Sequence, residues 1–193
     1  MGSPRYAPAG LLLSLPRGPR VAIDGGGSAD PGDRTLDAWL VTDERAELIA
    51  AIRRRARALD VVPHVAAYEG DALSIHPRRV VHTSHPTYAY EIRWRGRRVV
   101  WAPEIWRMPS WVAGADLLLA DAAGWVRPIA FRGGVGGHMA VLDVARRARA
   151  LGVRRVVYAH IGRPTIRALD AGLRPMFGEF GRDGLVLRIA PLR

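Results

Sequence analysis

The sequence predicts an α/β protein with two β-sheets and helices on their outer faces. Apolar segments of strand length occur in both halves of the chain, and they outnumber the amphipathic segments of helical length that separate them. The chain has 193 residues and no long polar insert. A single domain over residues 1–193, large enough for a sizeable core, is therefore expected.

The first third of the chain is typical of strands followed by a helix. Residues 11–15 and 20–24 flank a Pro-Arg-Gly-Pro turn and predict a hairpin, and residues 36–42 predict a third strand. A helix is predicted over 43–59, because its first turn is acidic, its last turns carry arginines and its apolar residues repeat at helical spacing. A short strand is expected at 61–68.

The later elements follow from alternation and from apolar runs. Tyr and Trp side chains alternate with polar ones before Arg95-Gly96, which predicts a hairpin at that turn. The predicted segments are strands at 88–94, 99–101 and 115–120, a helix at 139–151 closed by Gly152, and a strand at 153–159. After residue 162 the chain is expected to be rich in loops up to an apolar stretch at 185–189.

Composition limits the classes of function. The chain has no cysteine, so a metal ion would have to be held by His, Asp or Glu. Its longest apolar runs fall short of the ~20 residues that span a bilayer. No charged segment precedes a signal-like apolar stretch, so we expect a cytoplasmic protein without a membrane partner.

The formal charge of +11 invites a comparison with nucleic-acid-binding proteins. All 29 basic residues are arginines, and they are dispersed along the chain rather than gathered in one segment. Nucleic-acid sites concentrate charge on one face and add aromatic or base-reading side chains. We therefore expect a charged surface without a specific nucleic-acid partner, and any such binding to be weak and sensitive to salt.

Polar residues follow the ends of five predicted strands. They are Asp24, Asp43, Glu104, Asp121 and His160. Taken singly, each has an ordinary structural interpretation as a turn former, a helix cap or a hydrogen-bonded residue. Taken together, they predict a site at one rim of the sheets, where the loops of α/β proteins usually meet.

The order of these motifs resembles that of the metallo-β-lactamase superfamily. The similar segments are VAIDGG (21–26), HTSHPTYAYEIRWRGRRVVWAPE (82–104), GADLLLADAAG (114–124) and GGHMAVLDVARRARALGVRRVVYAHIG (136–162). The last segment is most similar to the branch that holds tRNase Z and the phosphonate-pathway phosphodiesterases. The resemblance implies a four-layer αββα sandwich with metal ions at the rim between the sheets.

The chain departs from this family at its His-x-His-x-Asp-His motif. The corresponding residues 43–48 read Asp-Glu-Arg-Ala-Glu-Leu, and an arginine such as Arg45 cannot coordinate a metal because its guanidinium is always charged. The resemblance implies that the first metal is absent, with Asp43 at a former ligand position and Arg45 supplying positive charge. It implies Glu104, His160 and Glu47 as ligands of a remaining second ion.

One histidine before the hairpin belongs to the family's ligand set. His82 and His85 both qualify by position, with His82 preferred, and a purely structural role for the pair is an equal alternative. His138 follows a glycine-rich segment and begins a predicted helix, so it is a candidate proton donor to a leaving oxygen; the alternative is a helix cap. Asp24 completes the predicted catalytic group, and Arg132, Arg163 and Arg167 are weaker candidates for binding phosphate.

Two functions from different classes agree with these residues. The first is a hydrolase of a small phosphodiester or ester that uses one divalent ion, and a carboxylate-rich ligand set would suit manganese or iron better than zinc. The second is a metal-free binding or scaffold protein with the same fold. An apolar surface patch around Trp101, Trp106, Trp111 and Trp125 would also suit a homo-oligomer.

Overall fold

The computed structural model describes residues 3, 5–70 and 72–192. Three α-helices and twelve β-strands lie in these ranges. The helices are α1 (Ile49–Ala58), α2 (Val141–Ala150) and α3 (Arg163–Asp170). The strands are β1 (Gly10–Ser14), β2 (Arg20–Asp24), β3 (Ala38–Leu40), β4 (Tyr68–Gly70), β5 (Leu73–Val80), β6 (Thr87–Trp94), β7 (Arg97–Ala102), β8 (Leu117–Ala122), β9 (Ile129–Ala130), β10 (Gly137–His138), β11 (Val156–Ile161) and β12 (Glu179–Phe180).

The strands form one large sheet, one small sheet and a two-stranded ribbon. The large sheet has the order β12-β11-β8-β7-β6-β5-β4, and the small sheet has the order β1-β2-β3. Strands β4 to β7 are antiparallel neighbours, whereas β7, β8 and β11 run parallel to one another. Strands β9 and β10 form the ribbon.

Burial divides the molecule into four layers. In β2, Val21 and Ile23 face the large sheet, whereas Ala22 faces α1, as the period of two requires. The opposite face of the large sheet packs on α2 and α3 through side chains such as Leu118 and Val144. The order helix, sheet, sheet, helix confirms the predicted αββα sandwich.

The first helix begins later than its sequence predicts. Residues 43–48 form turns instead, because the Asp43 side chain accepts a hydrogen bond from the Arg45 N–H at 2.7 Å and the Asp43 carbonyl accepts one from Ala46. An aspartate that binds its own following backbone competes with helix formation. The helix prediction over 43–59 was therefore wrong for its first six residues, and α1 starts at Ile49.

Other differences lie in strands and in the last quarter of the chain. Strand β5 was not among the predicted strands. It contains Pro77, which lacks an N–H donor, but β4 pairs only with residues 73–75, so Pro77 lies where β5 is an edge strand. The strand prediction at 61–68 was wrong except at its last residue, where β4 begins, and residues 185–189 form no strand. Helix α3 falls in the stretch that was predicted to be loops.

None of the described helices is long and apolar enough to cross a membrane. The longest, α1 and α2, have 10 residues each. Their role is to cover the outer faces of the two sheets.

We expect Leu118→Ala to lower the free energy of unfolding by about 2–5 kcal/mol, because the side chain is fully buried between β8 and the helices. Leu142→Ala, on the partly exposed side of α2, is the control and should cost about 1 kcal/mol or less. Urea unfolding followed by circular dichroism measures both. Equal losses would contradict the assignment of the core to this face of the sheet.

Candidate functional site

The parallel part of the large sheet brings three polar residues to one rim. Ala102 at the end of β7 pairs with Ala120 of β8, and Asp121 of β8 pairs with Ala159 of β11. Because these strands are parallel, their carboxyl ends lie at the same edge. Glu104, two residues after β7, therefore lies close to Asp121 and His160.

His160 sits in an irregularity of β11. The strand pairing passes from Ala159 opposite Asp121 to Ile161 opposite Ala122, so His160 is left out of the ladder, and its φ is +46°. A bulge of this kind redirects a side chain at a strand end. The His160 Nε2 lies 3.5 Å from Glu104 Oε1, and its Nδ1 lies 3.7 Å from Asp121 Oδ1.

Asp121 is a fully buried carboxylate at the centre of the rim. Its Oδ2 accepts hydrogen bonds from the Ile105 N–H at 3.1 Å and from His138 Nδ1 at 2.9 Å. Its Oδ1 accepts one from the Ala123 N–H at 2.9 Å. Burial raises the pKa of this carboxyl, but the hydrogen bond from His138 and the nearby imidazoles of His138 and His160 outweigh it, so the pKa is lowered and Asp121 stays ionised.

Two chain segments hold His138 and His82 against each other. The Gly137 N–H donates to the His82 carbonyl at 2.8 Å, and His82 Nδ1 contacts the Gly137 carbonyl at 3.0 Å. Gly136 has a φ of +153°, and a Cβ there would overlap the His82 carbonyl oxygen, so this approach requires glycine. The ring centroids of His82 and His138 are 4.6 Å apart, and those of His138 and His160 are 4.9 Å apart.

His82, rather than His85, faces this cluster. His82 is buried, and because its Nδ1 is directed at a carbonyl, its Nε2 is directed towards Glu104 Oε2 at 3.6 Å. His85 forms a separate pair, with its Nε2 2.7 Å from Asp43 Oδ2. The structure thus separates the two histidines that the sequence could not distinguish.

The side chains at the altered family motif make different contacts from those of His82, Glu104 and His160. Asp43 is buried and is engaged by His85 and by the Arg45 N–H. The Arg45 and Glu47 side chains are exposed. Arg45 and Glu47 are therefore candidate site residues only by their position in the sequence. In contrast, ring nitrogens of His82 and His160 lie 3.6 and 3.5 Å from the Glu104 carboxylate.

Asp24 lies at the end of β2 and ties the two sheets together. Its Oδ1 accepts from the Thr42 N–H and hydroxyl at 2.7 and 2.9 Å, and its Oδ2 accepts from Trp101 Nε1 at 2.7 Å. Burial raises the pKa of this carboxyl to about 6, and the negative charge of Glu104 adds to the rise. The hydrogen bonds from Trp101 and Thr42 lower the pKa and offset only part of this effect. Its carboxylate is thus engaged by three donors, which leave little room for a metal.

One group in the described part of the chain has the compactness of a metal site. Asp121, His138 and His160 each offer one ligand atom, and these atoms lie within 4.8 Å of one another. The buried Nδ1 of His160 has no hydrogen-bond partner there. One carboxylate and two imidazoles are a common donor set for divalent ions, so these residues fit a metal ion.

The charge on His160 depends on its carboxylate neighbours. Burial by itself lowers the pKa of the imidazole, but the attraction of Asp121 and Glu104 outweighs it and raises the pKa to about 9. Without a metal ion, His160 is therefore a cation between two carboxylates. A bound cation would replace that proton.

Phe131 is a part of the site that sequence reasoning missed. Its ring lies edge-on to His82 and His138, with centroid distances of 5.2 and 5.4 Å. The only signal was its position two residues before the glycine-rich segment 133–137. An isolated phenylalanine in that context does not by itself indicate a site.

The comparisons with known proteins agree on the fold. No family model matches the sequence, and no curated protein matches it. Among solved structures, the metallo-β-lactamase fold protein YhfI from Bacillus subtilis matches with a TM-score of 0.69 at 17% identity, covering 93% of this chain and 91% of that chain. The layers, the rim site and this match define a protein of the αββα class.

Two further structures extend the same result. A diphosphatase from the PhnP family has a TM-score of 0.64 at 17% identity, over 86% of this chain and 78% of that chain. Zn²⁺-bound PqqB from Methylobacterium extorquens has a TM-score of 0.63 at 16% identity, over 93% and 87%. The chain has the metallo-β-lactamase fold, which confirms the resemblance seen in the sequence.

We expect the stability of the protein to depend on the protonation of Asp24. Its folded pKa of about 6 lies above the ordinary value of 3.8, so the folded state holds this proton more tightly than the unfolded state does. The contribution is fully present below pH ~4 and is lost as the pH rises through ~6, by on the order of 1–3 kcal/mol.

Urea unfolding of wild type and Asp24→Asn between pH 4 and 8, in chelator, measures this contribution. The stability difference between the two should shrink or reverse as the pH rises. Asp60→Asn is the matched control, because Asp60 is exposed and has the same left-handed φ of +54° as Asp24. Parallel profiles for wild type and Asp24→Asn would contradict the raised pKa.

Proposed function

We propose that the protein is a metal-assisted hydrolase of phosphodiesters or related esters, with one divalent ion per chain. The observation that carries this proposal is the compact group of Asp121, His138 and His160 at the rim of the fold. A bound divalent ion would lower the pKa of a water molecule and polarise the scissile group. The diphosphatase and the zinc-bound protein among the similar structures support this class of chemistry.

The cluster offers two arrangements of ligands that share His160. In the first, Asp121, His138 and His160 hold the ion, which agrees with their mutual closeness. In the second, His160 acts with Glu104 and His82, whose facing atoms lie 3.5 and 3.6 Å from the Glu104 carboxylate. We prefer the first because its three atoms need the smaller rearrangement.

The second arrangement has one contact in its favour. The hydrogen bond between His138 Nδ1 and Asp121 Oδ2 stays intact in it, and the other ring nitrogen of His138 is left to hold a proton. Asp121 would then orient His138 as the donor to the leaving oxygen. Each arrangement assigns a different role to the same pair of residues, so variants can distinguish them.

A metal-free binding or scaffold protein is the second candidate. The segment 43–48 has no histidine, and the charge of His160 is balanced by Asp121 and Glu104 without any ion. Such a protein would keep the fold and lose the chemistry. The expectations of a small-molecule partner, a cytoplasmic location and only weak, non-specific binding of nucleic acid belong to both candidates.

The metal content of protein purified without chelator tests the proposal. We expect about one ion of zinc, manganese or iron per chain by elemental analysis, and metal-dependent hydrolysis of bis(p-nitrophenyl) phosphate or a p-nitrophenyl ester. His160→Gln should remove both, because the two arrangements share this ligand. His76→Gln, at a partly exposed histidine paired with Glu69, is the matched control and should change neither.

Two further variants separate the arrangements. If Asp121 and His138 are ligands, His138→Gln abolishes metal binding and Glu104→Gln retains it. If His138 is instead the proton donor, His138→Gln retains the ion and lowers kcat by roughly 100-fold or more, whereas Glu104→Gln loses the ion. Circular dichroism checks that each variant is folded.

Two tightly held ions per chain would contradict the one-metal proposal. Wild-type protein that holds no ion, and whose unfolding and hydrolysis are unchanged by chelator, would favour the scaffold candidate. These measurements need only the wild-type protein, so they do not depend on how any variant folds.

A further inference from the structure

Three aromatic rings pack against one another at the rim. The centroid of the Phe131 ring lies 5.2 Å from that of His82 and 5.4 Å from that of His138, and the two imidazoles are 4.6 Å apart. The rings are steeply inclined, at 65° between Phe131 and His82 and at 89° between Phe131 and His138. Edge-to-face contacts of this kind are a preferred packing of aromatic rings. Phe131 thus contacts two histidines of the candidate site at once.

The backbone holds Phe131 on the same side of the ribbon as His138. Ile129 of β9 pairs with His138 of β10, and the Phe131 N–H extends this pairing by donating to the Gly136 carbonyl at 2.9 Å. Side chains two residues apart in a strand share a face, so Phe131 lies on the face of Ile129. It is therefore a diagonal neighbour of His138 across the ribbon, at a separation that an aromatic side chain can span.

Hydrogen bonds alone restrain the two imidazoles only at one edge. His82 Nδ1 contacts the Gly137 carbonyl at 3.0 Å, and His138 Nδ1 contacts Asp121 Oδ2 at 2.9 Å. The opposite edge of each ring, with Nε2, can still swing about such a contact. A closely packed neighbouring ring opposes this motion, because the swinging edge would collide with it.

A phenyl ring restrains the imidazoles without competing for their partners. It has no hydrogen-bond donor or acceptor, so it neither takes up a proton nor binds an ion. His82 and His138 are only 5% and 8% exposed, and Phe131 is itself half-buried. Removing the phenyl ring would therefore leave a void beside both imidazoles and allow each to move.

We propose that Phe131 is a positioning residue that holds the imidazole rings of His82 and His138 in one orientation at the rim. The restraint on the rings does not depend on the proposed hydrolase function, but its effect on metal affinity rests on that function. Phe131 contacts a ligand in either arrangement, His138 in the first and His82 in the second. Residues that orient metal ligands contribute ~10–100-fold to metal affinity or activity.

The motion of the two rings in metal-free protein tests the restraint directly. In protein labelled with ¹³C-histidine and kept in chelator, NMR relaxation gives an order parameter for each ring. We expect about 0.85 for both rings in the wild type, as in a rigid group, and below about 0.6 in Phe131→Ala. Wild-type rings that are already mobile, or rings that stay rigid in folded Phe131→Ala, would overturn the proposal.

Phe180 offers a matched control at the same residue type and with the same partial burial. Its ring lies 4.9 Å from that of Tyr158 and 6.3 Å from that of Trp125, and within the described ranges its ring contacts include no histidine. Phe180→Ala should also destabilise the protein in urea, but it should leave both imidazoles rigid. Equal mobility of the imidazoles in the two variants would mean a general loss of packing and would contradict the proposed role of Phe131.

Metal affinity is measured separately, by calorimetric titration of metal-free protein with Zn²⁺ and then with Mn²⁺. Phe131→Ala should raise the Kd at least tenfold, Phe131→Leu should have a smaller effect, and Phe180→Ala should change the Kd less than twofold. An equal Kd for wild type and folded Phe131→Ala would overturn this inference and leave the hydrolase proposal intact. Wild-type protein that binds neither ion contradicts the hydrolase, and the order parameters then decide the role of Phe131.

Hydrolysis distinguishes positioning from substrate contact. At saturating metal, Phe131→Ala should lower kcat for bis(p-nitrophenyl) phosphate by roughly tenfold or more with KM changed less than twofold, because Phe131 acts through the histidines. A rise in KM alone would show that Phe131 contacts the substrate instead and would overturn the proposal. If Phe131→Ala does not fold, Phe131→Leu and Phe180→Leu replace the two alanine variants, and the same outcomes decide.

Discussion

The arrangement of the rim depends on the burial of one ionised carboxylate. Asp121 is inaccessible to solvent and yet stays charged, because two backbone N–H groups and His138 donate to it and His160 lies 3.7 Å away. An unpaired charge in this position would destabilise the protein by several kcal/mol. The hydrogen bonds from Ile105, Ala123 and His138 are therefore needed to stabilise the charge on Asp121. These donors come from segments far apart in the chain.

This requirement links the fold to the chemistry. Ile105 follows β7, Ala123 follows β8, and His138 belongs to the ribbon that the glycine-rich segment leads into. Only a sheet with parallel β7, β8 and β11 brings these segments to one edge. The same geometry places Glu104 and His160 next to Asp121, so a compact donor group results from the topology together with one buried charge.

The altered motif changes the balance between metal binding and stability. In the segment 43–48 the carboxylate of Asp43 is paired with His85 and with a backbone N–H, so this part of the rim satisfies its own polar groups. On the other side, His160 carries a proton that a metal ion could replace. On one side of the rim the polar groups are therefore paired with each other, and on the other side Asp121, His138 and His160 lie close enough to bind one ion. This is why we propose a site for a single ion.

The two sheets are joined to each other at the rim. Asp24 accepts from Trp101 and Thr42 and thereby joins β2 to β7 at the site end, while β1 has no partner strand on its outer side. The small sheet is therefore fastened to the large one at the rim and less closely packed along β1.

Much of the fold could be predicted from the sequence, because alternation and helical spacing report directly which faces are buried. The strands around Asp24, Glu104 and Asp121 and the helix after His138 were predicted near their observed places, and the polar strand ends indicated the rim. Two features could not be predicted in the same way. Strand β5 tolerates Pro77 because no strand pairs with its outer side there. Helix α1 is shortened by the turn at Asp43, whose side chain is bound by the Arg45 N–H and by the distant His85.

The roles of individual histidines were decided by the tertiary structure. The spacing of His82 and His85 left both open, and the choice follows from the bond between His82 and Gly137, a contact over 55 positions. The sequence determined that a metal ion would need His, Asp or Glu, since there is no cysteine. The tertiary structure decided which of these residues lie together. The parallel register of β7, β8 and β11 and the bulge at His160 determine it, because only long-range backbone pairing brings such atoms within reach of one ion.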